Sequence, residues 1–190
     1  MPGPGVADQP SFDCAKAASD AEDAICASAA LGALDRELTR IYGLAANGPN
    51  MTGDRLSELK AFQRGWIKGR DECWKSSLGV EECVLQEYAL RIGEIRTQYA
   101  DARSEAGLSD GPFPYVCDGL DIPLSAVFIS GEDPLLSLTW RDGFAVMRAQ
   151  PAASGIKYSD GAFTFWAKGD EAVFTASDGQ DLSCERDAMN

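Results

Sequence analysis

The sequence predicts a two-domain α + β protein. A disulfide-tied bundle of about three helices is expected over residues 11–104, and a small antiparallel β-barrel of roughly seven or eight strands over 113–187. Three observations predict this. Apolar residues recur at three- and four-residue steps as far as Tyr99, then alternate at two-residue steps beyond Tyr115. A polar stretch rich in Gly, Ser and Pro, from Ala102 to Pro114, separates the two patterns and reads as an interdomain linker. Six cysteines with no histidine read as three disulfides, because zinc sites use closely spaced Cys pairs, often with His. No metal and no cofactor is expected.

Residues 1–10 are rich in Pro and Gly and are expected to be disordered. Ser19-Asp-Ala-Glu22 is a capping box that starts a turn or short helix toward Cys26. Leu31, Leu34, Leu38, Ile41 and Tyr42 form one face of the first long helix, which Asn47-Gly-Pro-Asn50 stops. The second helix carries Leu56, Leu59, Phe62, Trp66 and Cys73; the third carries Tyr88, Ile92, Ile95 and Tyr99. These stripes are core positions that bury one another. Cys26 and Cys73 lie almost equally far from the loop near residue 50. An antiparallel hairpin would therefore pair them and leave Cys14 to Cys83; the local pairing Cys14–Cys26 with Cys73–Cys83 stays open.

Beyond the linker, Tyr115-Val-Cys117 reads as a short strand. Ile122, Leu124, Ala126 and Phe128 alternate, as do Leu136, Leu138 and Trp140, and Phe144, Val146 and Arg148 continue that period. Turn signals follow at Ser130-Gly-Glu-Asp, Arg141-Asp-Gly, Ser159-Asp-Gly, Lys168-Gly-Asp and Ser177-Asp-Gly, a spacing typical of small barrels. Cys117 and Cys184 fall in the first and last strands and are expected to bridge the ends of the sheet.

The chain carries a net charge of −13, shared between both halves. Such a surface repels nucleic acid and anionic lipid and attracts basic partners. Disulfides place the chain outside a reducing cytosol. Met1-Pro-Gly-Pro-Gly5 has no apolar core of a signal peptide, so a secretion signal is expected to have been removed. No run approaches the roughly 18 apolar residues of a membrane span. A catalytic role is disfavoured: there is no His, no lone Cys nucleophile, no Gly-rich phosphate loop and no assignable carboxylate pair.

Two resemblances refine this reading. Phe12-Asp-Cys14, Glu22-x-x-Ile-Cys26, Leu34-Asp-x-Glu-Leu38-x-x-x-Tyr42, Gln63-x-x-Trp66-x-x-x-Arg70-Asp-x-Cys73, Cys83 and Tyr88-x-x-Arg91-Ile resemble the LprI-type domain. The resemblance covers roughly residues 11–100 and implies packing roles for Trp66 and Tyr42 and a helix-to-helix pair of Arg70 with Asp35. Tyr115-x-Cys117-Asp-Gly, Ser154-Gly-x-x-Tyr158, Phe165-Trp-Ala-Lys168-Gly169 and Cys184 resemble the MliC/PliC family, whose members inhibit c-type lysozyme. That resemblance implies that Ser154 and Lys168 are the inhibitory residues. Gly155 and Gly169 would allow close backbone approach, and Tyr158 would be a secondary contact. The implied partner is a basic c-type lysozyme. The alternative is an immunity protein against a bacterial muramidase toxin, with the helical domain as a cell-wall or partner-binding module. Oligomeric state is not legible.

Overall fold

The computed structural model describes residues 9–187, so the Pro/Gly-rich start falls mostly outside them. The chain divides into two units, residues 1–107 and 108–190.

The first unit holds four α-helices among the described residues: α1 (Asp20–Ala27), α2 (Ala29–Asn47), α3 (Gly53–Asp71) and α4 (Val80–Gln98). The expected cap forms at Ser19, with the return bond one residue further back than in a regular capping box. Ser19 Oγ accepts from the Glu22 amide, and the Glu22 carboxylate accepts from the Ala18 amide. Ser28 then ends α1 and caps α2, its hydroxyl accepting from the Leu31 amide. This break corrects the expected disulfides. Cys14 is bound to Cys26 and Cys73 to Cys83, not Cys26 to Cys73 and Cys14 to Cys83. Counting along a continuous hairpin fails because Cys26 belongs to a separate short helix. Cys73 lies beyond α3, in a 3-10 turn over Cys73–Lys75.

The core of this unit is the face of α2 (Leu31, Leu34, Leu38, Ile41) against that of α4 (Tyr88, Ile92, Ile95). α3 buries only Leu59 and Arg70, and Phe62, expected on its core face, is 53% exposed. Asp35 and Arg70 do not pair directly. The Tyr88 hydroxyl joins them, donating to Asp35 Oδ1 at 2.8 Å and accepting from Arg70 Nη1 at 3.0 Å.

The second unit is a closed antiparallel barrel in which each strand pairs with its sequence neighbours and β1 pairs with β8. The strands are β1 (Ser109–Cys117), β2 (Leu124–Ile129), β3 (Leu135–Trp140), β4 (Gly143–Gln150), β5 (Ile156–Ser159), β6 (Thr164–Lys168), β7 (Glu171–Thr175) and β8 (Asp181–Arg186). The expected linker is largely structured. Ala100–Arg103 is a 3-10 turn, and Ser109–Pro114 extends β1 along β2, with a register shift between Asp110 and Phe113. Pro112 cannot donate to a ladder, which suits it to such an irregularity.

Leu124, Ala126, Leu136, Leu138, Tyr158, Phe165 and Phe174 fill the barrel. On β4 the inward positions are Ala145 and Met147, while Phe144 is 61% exposed. The expected period of Phe144, Val146 and Arg148 is thus out of step by one residue. The two-residue Arg141-Asp142 turn sets Gly143 opposite Trp140 on the same face and so resets the parity. Cys117 and Cys184 face each other across β1 and β8, and their disulfide closes the seam.

Candidate functional site

β5 and β6 are antiparallel, with Ile156 opposite Ala167 and Ser159 opposite Thr164. The start of β5 and the end of β6 therefore lie at the same end of the barrel. That brings Ser154-Gly155, just before β5, beside Lys168, the last residue of β6. The Ser159-Asp160-Gly161 turn is at the other end. There Asp160 Oδ1 accepts from the amides of Ala162 and Phe163, and Ser159 donates to the Phe163 carbonyl.

Two fastenings hold the Ser154 bend to β6. The Trp166 indole N–H donates to the Ser154 carbonyl at 2.9 Å. Gly155, at φ +70°, lies so close to β6 that a Cβ there would meet the Ala167 carbonyl oxygen and the Lys168 Cβ. Any side chain at 155 would force the two bends apart.

Lys168 precedes the Gly169-Asp170 turn into β7, with Gly169 at φ +64°, as a two-residue hairpin turn requires. The Asp170 carbonyl accepts from the Arg186 amide on β8, which fixes the turn from its far side. Lys168 is exposed, and among the described residues neither its ammonium nor the Ser154 hydroxyl has a hydrogen bond or ion pair. Lys168 pairs in register with Glu171, which pairs with Glu185. Two like charges directly opposite on a sheet are unfavourable. The free cation thus stands in a fringe of carboxylates, completed by Asp118 around a shallow cleft of about 580 Å³. A second cleft of about 570 Å³ lies on the Ser154 side, and Trp166 lines both.

Tyr158 does not join this surface. It is 8% exposed, packed against Phe128 inside the barrel, and burial pushes its phenol pKa up. Its expected part as an outer contact becomes one of support beneath β5. Trp166 is the site neighbour that sequence reasoning missed. The signal was present: Trp166 and Lys168 are two residues apart on one strand and so share its outer face. Among the described residues no group of His, Cys, Asp and Glu is placed to hold a metal ion, and no helix is long and apolar enough to cross a membrane.

Residues 14–104 match the family described as lysozyme inhibitor LprI. Residues 115–183 match the family described as membrane-bound lysozyme-inhibitor of c-type lysozyme, MliC. Lipoprotein LprI of Mycobacterium tuberculosis and of Mycobacterium bovis are each 27% identical over 157 residues, covering 82% of this chain and 74% of theirs. The crystal structure of Pseudomonas aeruginosa MliC in complex with hen egg white lysozyme aligns at 23% identity and a TM-score of 0.37, over 44% of this chain and 88% of that one. The two family matches thus follow one another along the chain, the LprI model on the helical unit and the MliC model on the barrel, in that order from the N-terminus.

Proposed function

We propose that this chain is a protein inhibitor of c-type lysozyme, acting in the periplasm or outside the cell, and that the Ser154 and Lys168 bends of the barrel occlude the lysozyme cleft. The observation that carries the reading is an exposed, unpaired Lys168 beside an unpaired Ser154 hydroxyl, at one end of a rigid barrel. Both families matched are described as lysozyme inhibitors, which supports the same reading.

C-type lysozymes cut glycan with two carboxyl groups, one held protonated and one ionised. A lysine ammonium is a compact cation with long reach, suited to the ionised carboxylate. A serine hydroxyl both donates and accepts, suited to the protonated one. The surrounding acids, Glu171 and Glu185, match the basic rim of such an enzyme and steer it into place. The chain works by blocking a site rather than by a reaction of its own.

The test is a lysis assay with a c-type lysozyme and a cell-wall suspension. The wild-type chain slows lysis, and Lys168→Ala weakens inhibition by roughly 2–5 kcal/mol, the cost of truncating one partner of a buried charge pair. Full inhibition by Lys168→Ala would remove Lys168 from the site. Inhibition of a bacterial muramidase but of no c-type lysozyme would instead make the chain an immunity protein.

A further inference from the structure

Trp166 stands on the outer wall of the barrel, between the two bends. Its indole N–H spends its hydrogen bond on the Ser154 carbonyl, twelve residues back, at 2.9 Å. Its ring stands between the cleft on the Ser154 side and the cleft on the Lys168 side. Its strand neighbours are Lys157 on β5 and Val173 on β7, so the ring is half-buried along the outer wall rather than in the core. Ser154 itself lies in no strand. Gly155 adds a close approach of the bend to the Ala167 carbonyl.

We propose that Trp166 is a positioning residue of the inhibitory site. It holds the Ser154 bend at a fixed offset from Lys168, so that hydroxyl and ammonium present themselves as one preorganised pair. This rests on the reading that the chain inhibits lysozyme through those two residues. The physical ground is preorganisation. A bend free to move must be ordered when the partner arrives, and that ordering lowers affinity. An indole is well suited to prevent it, because it offers one directed donor on a large, stiff ring. Trp166 acts through Ser154 and makes its contribution before the partner is met.

The test uses the full chain with Trp166→Phe, Ser154→Ala and the double variant. Trp166→Phe should raise the inhibition constant about tenfold while the thermal midpoint of the barrel stays within a few degrees. In the Ser154→Ala background the same change should cost less than about twofold, since the group being positioned is gone. Hydrogen exchange over residues 152–156 should quicken in Trp166→Phe. In the wild-type chain the Trp166 indole proton should exchange more slowly than that of Trp74, which is 59% exposed. That comparison needs no variant and tests the bond on which the proposal stands even if Trp166→Phe folds poorly. Multiplicative effects in the double variant, or an indole proton exchanging as fast as that of Trp74, would overturn the proposal. If the wild-type chain inhibits no lysozyme, the proposed function fails; the exchange measurements still tell whether Trp166 holds the bend.

Discussion

The Tyr88 hydroxyl stands between a buried acid and a buried base that do not touch. Asp35 and Arg70 are each almost fully enclosed, and enclosed charges destabilise a fold unless they are paired and hydrogen-bonded. Asp71 and Glu22 complete the arrangement around Arg70, and its guanidinium also lies over the Trp66 ring. Tyr88→Phe removes a single oxygen and leaves both neighbours short of a partner. It should lower the stability of the helical unit by roughly 2–3 kcal/mol in urea titration. The same hydroxyl gives a pH signature. Burial, reinforced by Asp35, raises the Tyr88 pKa far above that of a free phenol. The folded chain therefore keeps the proton through the range where the unfolded chain loses it, near pH 10. The stabilisation is complete below that pH and falls as pH climbs toward the folded-state value. Alkaline unfolding should be less steep in Tyr88→Phe; equal steepness in the two proteins would refute the assignment. The sequence offered Arg70 and Asp35 as a pair but could not show a third residue between them, because Tyr88 lies on another helix and reads there as an ordinary core ring.

α3 is a helix at odds with its surroundings. Lys60, Arg64 and Lys68 fall four residues apart on it, all exposed and none ion-paired among the described residues. Like charges at that spacing destabilise a helix by roughly 0.2–0.5 kcal/mol each. Arg64→Glu turns two repulsions into two attractions and should stabilise the helical unit by roughly 1 kcal/mol, a gain that shrinks in about 1 M salt. No stabilisation at low salt would mean the stripe is already relaxed by solvent. Elements also mark where sequence reading succeeds and fails. The Lys168-Gly169 and Ser159-Asp160-Gly161 turns were legible because turn chemistry is local. The α2 and α4 stripes were legible because periodicity is local too. The bridge from Cys117 to Cys184 was legible from its place in the first and last strands, whereas the helical pairing was legible only as the second of two alternatives, because Ser28 ends α1 and takes Cys26 off the line of α2. On β4 the two-residue Arg141-Asp142 turn had the same effect, since it sets Gly143 opposite Trp140 and exchanges inside for outside. The bond from Trp166 to Ser154 depends on the register of β5 against β6, which no single stretch encodes.

The two units differ in how they are tied. The helical disulfides span 12 and 10 residues, whereas Cys117–Cys184 spans 67. In the chain-entropy account the short bridges are each worth roughly 3 kcal/mol and the long one roughly 4. Replacing Cys117 and Cys184 by Ser should therefore lower the barrel's midpoint more than Cys73 and Cys83 to Ser lowers that of the helical unit. Calorimetry of each variant checks the order. Separate production of the units has to cut between Gly107 and Leu108, because a start at residue 113, the expected edge of the barrel, removes Ser109 to Pro112 from β1. The barrel alone should retain the inhibition of the whole chain; loss of inhibition would give the helical unit a direct part in it. The unbroken ring of strands has one more consequence. A sheet with a free edge can recruit an extended segment of another protein by adding it as a further strand, and can also propagate into aggregates. With β1 bonded to β8, the ring offers no terminal ladder to extend. Recognition by this half of the molecule is left to side chains at its bends and along its outer wall, and the barrel is spared indiscriminate strand exchange.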